Sequence, residues 1–355
     1  ENIEDRAGFF VAAVGDVDGD TVSDFMIGAD YFGGSEMFSG RAYLFTAQGL
    51  GQAGEISIAE ADYTIIAERN KSLVGHNFSS AGDMDGDGKD DFLISGYIDS
   101  NGKNENGTVY LIHASELTQP EVYLEDIAYQ WYGEMELAKL GHNVSGNADV
   151  DGDGIPDILT GAYGHQEGRG KGYLMFGSNI QPGRQSISNT DHYFNGEVAD
   201  DRLGYTMTFV GDIDGDGYDD LHMSSKYNDT VDTDAGKTYL FYGSTINAQE
   251  EAEVDMQSAN HVFYGEGLEN WCCKLFRMGD LDGDSKPDLI FGAQYQEIES
   301  LGSGLAYVVL SSTLGATGSR SLADADYKFV GENYGDAMGI SQVGVGDLDG
   351  DGTED

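Results

Sequence analysis

The nine residues Asp83–Met84–Asp85–Gly86–Asp87–Gly88–Lys89–Asp90–Asp91 place carboxylates at positions 1, 3, 5 and 9. Close copies begin at Asp16, Asp149, Asp212, Asp280 and Asp347, at intervals of 67, 66, 63, 68 and 67 residues. A motif recurring at one period of this length marks a repeat architecture before any other inference is drawn. Alternate carboxylates in a tight Gly-containing turn converge on one point. Such a cluster of hard oxygens suits calcium, which takes six to eight oxygens at about 2.3–2.6 Å. Magnesium keeps its waters and its octahedron, and transition metals call for His or Cys, which the loops lack. A plain Asp-Gly turn would explain one copy. Six copies, each with all four carboxylates, favour a metal loop.

The first five ligand positions resemble an EF-hand loop, which also needs a bidentate Glu at position 12. Here position 12 is Ile27, Ile94, Thr160, Met223 or Phe291, and the sixth copy stops short of it. An apolar run such as Phe92–Leu93–Ile94 follows position 9 directly and predicts a buried strand, with a second strand before the loop. The loop is therefore expected to be the turn of a β-hairpin. The expected ligands are Asp16, Asp18, Asp20 and Asp24 with the backbone carbonyl of Val22; Asp83, Asp85, Asp87 and Asp91 with that of Lys89; and Asp149, Asp151, Asp153 and Asp157 with that of Ile155. The later loops supply Asp212, Asp214, Asp216 and Asp220 with Tyr218; Asp280, Asp282, Asp284 and Asp288 with Lys286; and Asp347, Asp349, Asp351 and Asp355 with Thr353. One Ca2+ per loop gives up to six. Thr21 and Ser285 stand where other loops have Gly at position 6, which predicts stiffer or weaker loops.

Other landmarks keep step with the loops. A Gly lies eight residues before the first Asp at Gly8, Gly75, Gly141, Gly204 and Gly339, and Cys272 takes that place in the fifth copy. A G-x-x-Y motif recurs at Gly40/Tyr43, Gly107/Tyr110, Gly170/Tyr173, Gly236/Tyr239 and Gly304/Tyr307, and a Glu closes each repeat at Glu68, Glu134, Glu197, Glu266 and Glu332. Each period holds four short strands rich in β-branched and aromatic residues. In the second they are expected over 77–81, 91–95, 108–113 and 129–132. Four strands per repeat predict an all-β fold, a β-propeller of four-stranded blades. The expected organisation is a single propeller over 1–355, with repeats at 1–68, 69–134, 135–197, 198–266, 267–332 and a partial one at 333–355. Glu1 falls on the closing-Glu position and Asp355 on position 9, so the chain reads as five full blade-equivalents and the start of a sixth, cut at both ends.

Acidic residues number 64 against 18 basic, for a net charge of −46. The excess outlasts neutralisation of the loops by metal. It argues against nucleic acid or an anionic membrane as a partner, and no run is long enough to span a bilayer. It fits a salty, calcium-containing medium, and equally a simple need for solubility. Cys272 and Cys273 are adjacent, and adjacent cysteines do not form an ordinary structural disulfide without strain, so buried thiols are expected, with a functional vicinal disulfide as the alternative. Sequons occur at Asn70, Asn77, Asn106, Asn143 and Asn228.

These landmarks resemble the FG-GAP repeats of the integrin α-subunit propeller and related bacterial proteins. The resemblance rests on the D-x-D-G-D-G-x-x-D loop, the Gly before it, and Gly-Ala at Gly28–Ala29, Gly161–Ala162 and Gly292–Ala293. It departs where Leu140–Gly141 and Leu203–Gly204 replace Phe-Gly. Such propellers usually have seven blades, which implies further blades beyond this chain. The resemblance also implies that ligands dock on the end opposite the metal hairpins, where Tyr31, Tyr97, Tyr163, Tyr227 and Tyr295 recur. A ring of Tyr suits protein or glycan recognition; packing between blades is the alternative.

No H-E-x-x-H or G-x-S-x-G occurs, and Ala235–Gly236–Lys237–Thr238 lacks the earlier Gly of a phosphate loop. His76 and His142 follow the landmark Gly, a placement that predicts packing. The leading expectation is a non-catalytic, calcium-stabilised extracellular or cell-surface module for adhesion or recognition of a protein or glycan. The alternative is an accessory or catalytic propeller of a secreted hydrolase acting on polysaccharide or phospholipid, since family resemblance carries fold better than partner.

Overall fold

The computed structural model describes residues 5–33, 38–50, 54–267, 272, 274–277, 279–293, 303–333 and 336–340. The chain divides into two compact units, one of residues 1–148, 154–165 and 173–191, the other of 149–153, 166–172 and 192–355.

In the first unit, the strands Val11–Gly15, Asp24–Ala29, Arg41–Phe45 and Tyr63–Ile66 form an antiparallel meander. Phe78–Gly82, Asp91–Gly96, Thr108–Ile112 and Tyr129–Tyr132 form a second. Leu140–Ser145 and Ile158–Ala162 add an antiparallel pair. The second unit repeats the meander with Leu203–Gly211, Asp220–Ser225, Lys237–Phe241 and His261–Tyr264. It does so again with Lys274–Arg277, Leu289–Ala293, Leu305–Val309 and Tyr327–Val330. These are β-propeller blades, and the fold is all-β, as the sequence predicts.

The second and third strands of each blade are the core. Asp91–Gly96 and Thr108–Ile112 are buried along their whole length. That explains why their sequences read as continuous apolar runs and not as alternations. Facing blades share that core: Val14, Met26 and Leu44 pack with Phe78, Phe92 and Ile94 in the first unit, and Val210 and Leu240 with Leu275 and Phe291 in the second. The first strand carries a bulge just before the loop, between Ala13 and Gly15, Ser80 and Gly82, and Phe209 and Gly211. A bulge twists and bends the strand where it enters the turn.

The structure adds a strand that the four-strand expectation omits. The long connection between strands 3 and 4 of one repeat lays a short segment parallel to strand 4 of the preceding blade. Glu121–Tyr123 pairs with Tyr63–Ile66, and Gly183–Ser186 with Tyr129–Tyr132. In the second unit Glu253–Val254 pairs with His192–Asn195, and Gly318–Ser321 with His261–Tyr264. Each of these segments covers an edge that would otherwise expose unpaired backbone groups.

The repeated landmarks mark contacts between neighbouring repeats. The G-x-x-Y tyrosines are fully buried, and two of their hydroxyls reach the closing Glu of the repeat before: Tyr110 Oη donates to Glu68 at 3.4 Å and Tyr173 Oη to Glu134 at 3.2 Å. The motif's Gly lets two backbones meet. A Cβ on Gly107, which has φ +79°, would sit 2.2 Å from the carbonyl oxygen of Leu140. Leu140 N in turn donates to Asn106 O, as Leu203 N does to Arg169 O and Cys272 N to Ala235 O. Cys272 therefore corresponds to the residue before the landmark Gly and does not replace that Gly, which corrects the expected alignment by one place. Cys272 is also buried and disulfide-bonded, not a free thiol. Cys273 lies outside the described residues, as does Glu1.

Candidate metal centre

Each hairpin loop is tied by its own carboxylates. In the second loop Asp83 Oδ1 accepts from Gly86 N (2.8 Å) and Asp87 N (3.0 Å), and its Oδ2 from Gly88 N (2.9 Å). Asp85 Oδ1 accepts from Asp87 N (3.1 Å), and Asp87 Oδ1 from Lys89 N (2.9 Å). The same pattern surrounds Asp16, Asp212 and Asp280. Asp149 accepts likewise from Gly152 and Asp153. In the third copy Asp149, Asp151 and Asp153 lie in the second unit, and Ile155 and Asp157 in the first. The position-7 residues Val22, Lys89, Tyr218 and Lys286 donate their N–H to position 5. Position 6 needs a left-handed backbone. Gly88 and Gly217 have φ +87° and +94°, and Thr21 and Ser285 are held at +74° and +68°, a region that costs non-Gly residues energy.

Position 9 is the buried anchor. Asp24, Asp91, Asp157, Asp220 and Asp288 are all wholly buried at the first residue of strand 2 or just before it. Asp220 Oδ2 accepts from Ile213 N (2.8 Å) inside the loop, and its Oδ1 from Gly243 N (2.9 Å) in the turn after strand 3. Asp24, Asp91 and Asp288 make the same two contacts. The loop is thereby fastened to the strand 3–4 connection. Carboxylate oxygens of Asp16, Asp18 and Asp24 lie within 4.8 Å of one another, as do those of Asp212, Asp214 and Asp220, and of Asp83, Asp85 and Asp87. No lysine or arginine pairs with a ligand-position carboxylate of the first, second, fourth or fifth loop among the described residues. Burial, against the pull of its two backbone bonds and with Asp214 and Asp216 pushing further, raises the Asp220 pKa to about 8. Burial likewise raises Asp24, Asp214 and Asp288. An all-oxygen set of crowded anions is the chemistry of a hard-cation site, so the residues fit calcium. The sixth loop, Asp347 to Asp355, lies outside the described residues.

Two features of this end escaped sequence reasoning. First, position 8 links loops. Asp90 N donates to Asp16 O and Asp90 Oδ2 accepts from Asp16 N, both at 2.9 Å. Asp219 does the same to Asp149, at 3.0 and 2.8 Å. The signal was present in the alternation of Asp90 and Asp219 with Pro156 and Pro287, which have no N–H to donate. Second, although the loops contain no His, an imidazole from outside reaches one of them. His113 Nδ1 lies 2.8 Å from Asp91 Oδ2 and 3.7 Å from Asp85 Oδ2. Burial lowers the His113 pKa, but the bond to Asp91 and the charges of Asp91, Asp85 and Glu116 outweigh it, and the net shift is upward.

At the opposite end of the blades the candidate tyrosines are half-buried. Tyr31 lies beneath the Arg6 guanidinium, 3.5 Å from its centroid. Tyr97 and Tyr163 flank His142 at centroid distances of 5.1 and 4.7 Å, and Tyr97 also meets His76 at 4.6 Å. Tyr227 faces Arg202 (4.6 Å) and lines a cavity of about 400 Å³ with Asp200, Asp201 and Asn228. Tyr295 lies outside the described residues. Among the sequons, Asn106 and Asn228 are buried while Asn70 is exposed. No helix among the described residues is long and apolar enough to cross a membrane.

Comparison with known proteins places these features in context. The family model for the FG-GAP repeat matches residues 77–112 and 144–175. The chain is 29% identical over 154 residues to integrin alpha-PS2 of Drosophila melanogaster, covering 41% of this chain and 11% of that protein. It is 37% identical over 99 residues to integrin alpha pat-2 of Caenorhabditis elegans, covering 28% and 8%. It is 28% identical over 174 residues to integrin alpha-IIb of Mus musculus, covering 46% and 16%. The matched stretches thus span less than a fifth of each relative.

Proposed function

We propose, for this member of the FG-GAP repeat and integrin α-type β-propeller family, a role as a calcium-clamped extracellular recognition module with no catalysis of its own. The repeats over 1–355 belong on this reading to one propeller. The observation that carries the calcium role is the convergence of carboxylates in each described loop on a buried position 9, with no lysine or arginine paired to a ligand-position carboxylate of the first, second, fourth or fifth loop among the described residues. Each loop then takes one Ca2+ through positions 1, 3, 5 and 9 and the carbonyl of position 7. At about 1 mM calcium and a site constant near 10⁻⁴ M, each site adds roughly 1.4 kcal/mol. Several such sites decide whether the fold persists, and such affinities would leave the loops empty in a calcium-poor cytosol.

Recognition of a protein or glycan belongs to the opposite end, where Tyr31, Tyr97, Tyr163 and Tyr227 offer ring faces and edges beside basic groups. Calorimetric titration of chelator-stripped protein tests the metal role. Calcium uptake with a large rise in melting temperature is expected, and an unchanged melt defeats it. Hydrolytic turnover abolished by substitutions around Tyr227 would overturn the non-catalytic reading.

A further inference from the structure

We propose that the second loop is a mixed nitrogen–oxygen site that takes a divalent transition cation of the zinc and manganese class through Asp85, Asp91 and His113. The proposal uses the loop reading above only to place the two carboxylates. Three ligand atoms, one from each residue, lie within 4.8 Å of one another. His113 comes from the end of the third strand, 22 residues beyond Asp91 in sequence. At that place the other repeats carry Thr46, Phe176, Tyr242 and Leu310, none of which offers an imidazole. The nitrogen donor is therefore peculiar to this loop. Imidazole suits zinc, manganese and their neighbours, whereas calcium takes oxygen ligands.

The geometry is held in advance. The His113 ring meets the edge of Tyr129 at a centroid distance of 4.7 Å, and its backbone N donates to Glu116 Oε2 at 3.0 Å. Asp91 is fixed by Met84 N and Ala114 N. Asp85 Oδ2 accepts from Ser115 Oγ at 3.3 Å. Asp91 and His113 are buried, and Asp85 stands at the open side, where water completes the coordination shell. Metal–ligand bonds of about 2.0–2.2 Å need only a small widening of the present 2.8 Å contact between His113 and Asp91. In the bound state the neutral imidazole presents its Nδ1 lone pair to the ion and carries its proton on Nε2. Asp85 and Asp91 are also positions 3 and 9 of the calcium reading, so the two cations compete for both carboxylates and the second loop holds one or the other.

The test titrates zinc and manganese into the full chain with calcium in excess, and records X-ray absorption at the zinc edge. We expect one zinc per chain with an imidazole signature. His113→Leu, which installs the residue of the fifth repeat, should weaken it by more than about tenfold. Asp85→Asn, which leaves the His113–Asp91 contact in place, should weaken it too. Absence of zinc binding in the unaltered chain overturns the proposal. So does retention of the ion in a folded His113→Leu variant, or its loss in His76→Ala instead. Calcium stoichiometry measured on the same protein separates this outcome from failure of the calcium role.

Discussion

The two ends of the blades use the same acidic side chains in opposite ways. At the end away from the hairpins, carboxylates have partners within the chain. Glu68 is held by Arg69, by Arg184 at 3.0 Å and by the Tyr110 hydroxyl. Asp99 takes Arg69 at 2.7 Å and Thr108 at 2.8 Å. Glu197 takes Lys237 at 2.7 Å and Glu266 takes Lys328 at 2.6 Å. At the hairpin end the ligand-position acids crowd together, and backbone N–H groups, the Ser115, Ser311 and Ser312 hydroxyls and one imidazole meet them. One end pairs several of its carboxylates with arginine or lysine; the ligand positions of the first, second, fourth and fifth loops have no such pair among the described residues. Buried acids become expensive when nothing opposes them, so stability should depend on added cation at one end alone.

Four measurements would break or sharpen that contrast. Asp220→Ala should have the largest effect. It removes a ligand and leaves Ile213 N and Gly243 N without an acceptor, a loss of about 2–4 kcal/mol by denaturant unfolding in calcium. In chelator the loss should shrink, because there is then no bound cation whose stabilisation the change can remove. A pH series comes next. A carboxyl whose folded pKa is raised above its ordinary value near 4 adds stability below that value and loses it as pH rises through the folded pKa. Asp24, Asp214 and Asp288 are raised, and Asp220 reaches about 8. In chelator the melting temperature should therefore fall from pH 4 toward pH 8, and calcium should flatten the decline. A curve of the same slope with and without calcium would contradict the contrast.

Glu68→Ala should cost about 1–3 kcal/mol through the groups it strands, and by the same amount in calcium and in chelator. A loss that depended on calcium would mean the two ends are not independent. The smallest effect belongs to Thr21→Gly. It relieves the left-handed strain at φ +74°, and should raise stability by at most about 1 kcal/mol, read as a small upward shift in the melt.

Much of the fold was legible because its signals are periodic. The strands at Asp91–Gly96 and Tyr129–Tyr132 lie within a residue of their expected positions, since apolar runs bounded by Asp and Gly leave little freedom. The segment Gly183–Ser186 was not legible. It is a polar, largely exposed stretch with no alternation, and it is a strand only because a neighbouring edge pairs with it. His113 was missed for a related reason. The loop motif is local, and the residue that enters it arrives from the far end of strand 3. The repeated Glu and Tyr were noticed as landmarks, but that Glu68 meets Tyr110 of the next repeat is a fact of three-dimensional adjacency. The shift at Cys272 arose because counting back from Asp280 assumes equal spacing, and the backbone contact to Ala235 shows which residue is equivalent.

The borrowed fifth strand has a bearing on how such an array can be duplicated or trimmed. The span that completes a sheet runs well past the span that recurs in sequence. The first sheet is finished only at Tyr123, near the end of the next copy. A piece excised at residue 68 would therefore carry a bare edge, whereas one extended through Tyr123 would keep its sheet whole but bring most of its neighbour along. Gain or loss of whole copies within the array preserves this overlap, because the second and fourth copies each both donate and receive. A cut at any other phase breaks a sheet, and the repeats are better regarded as overlapping courses of masonry than as beads.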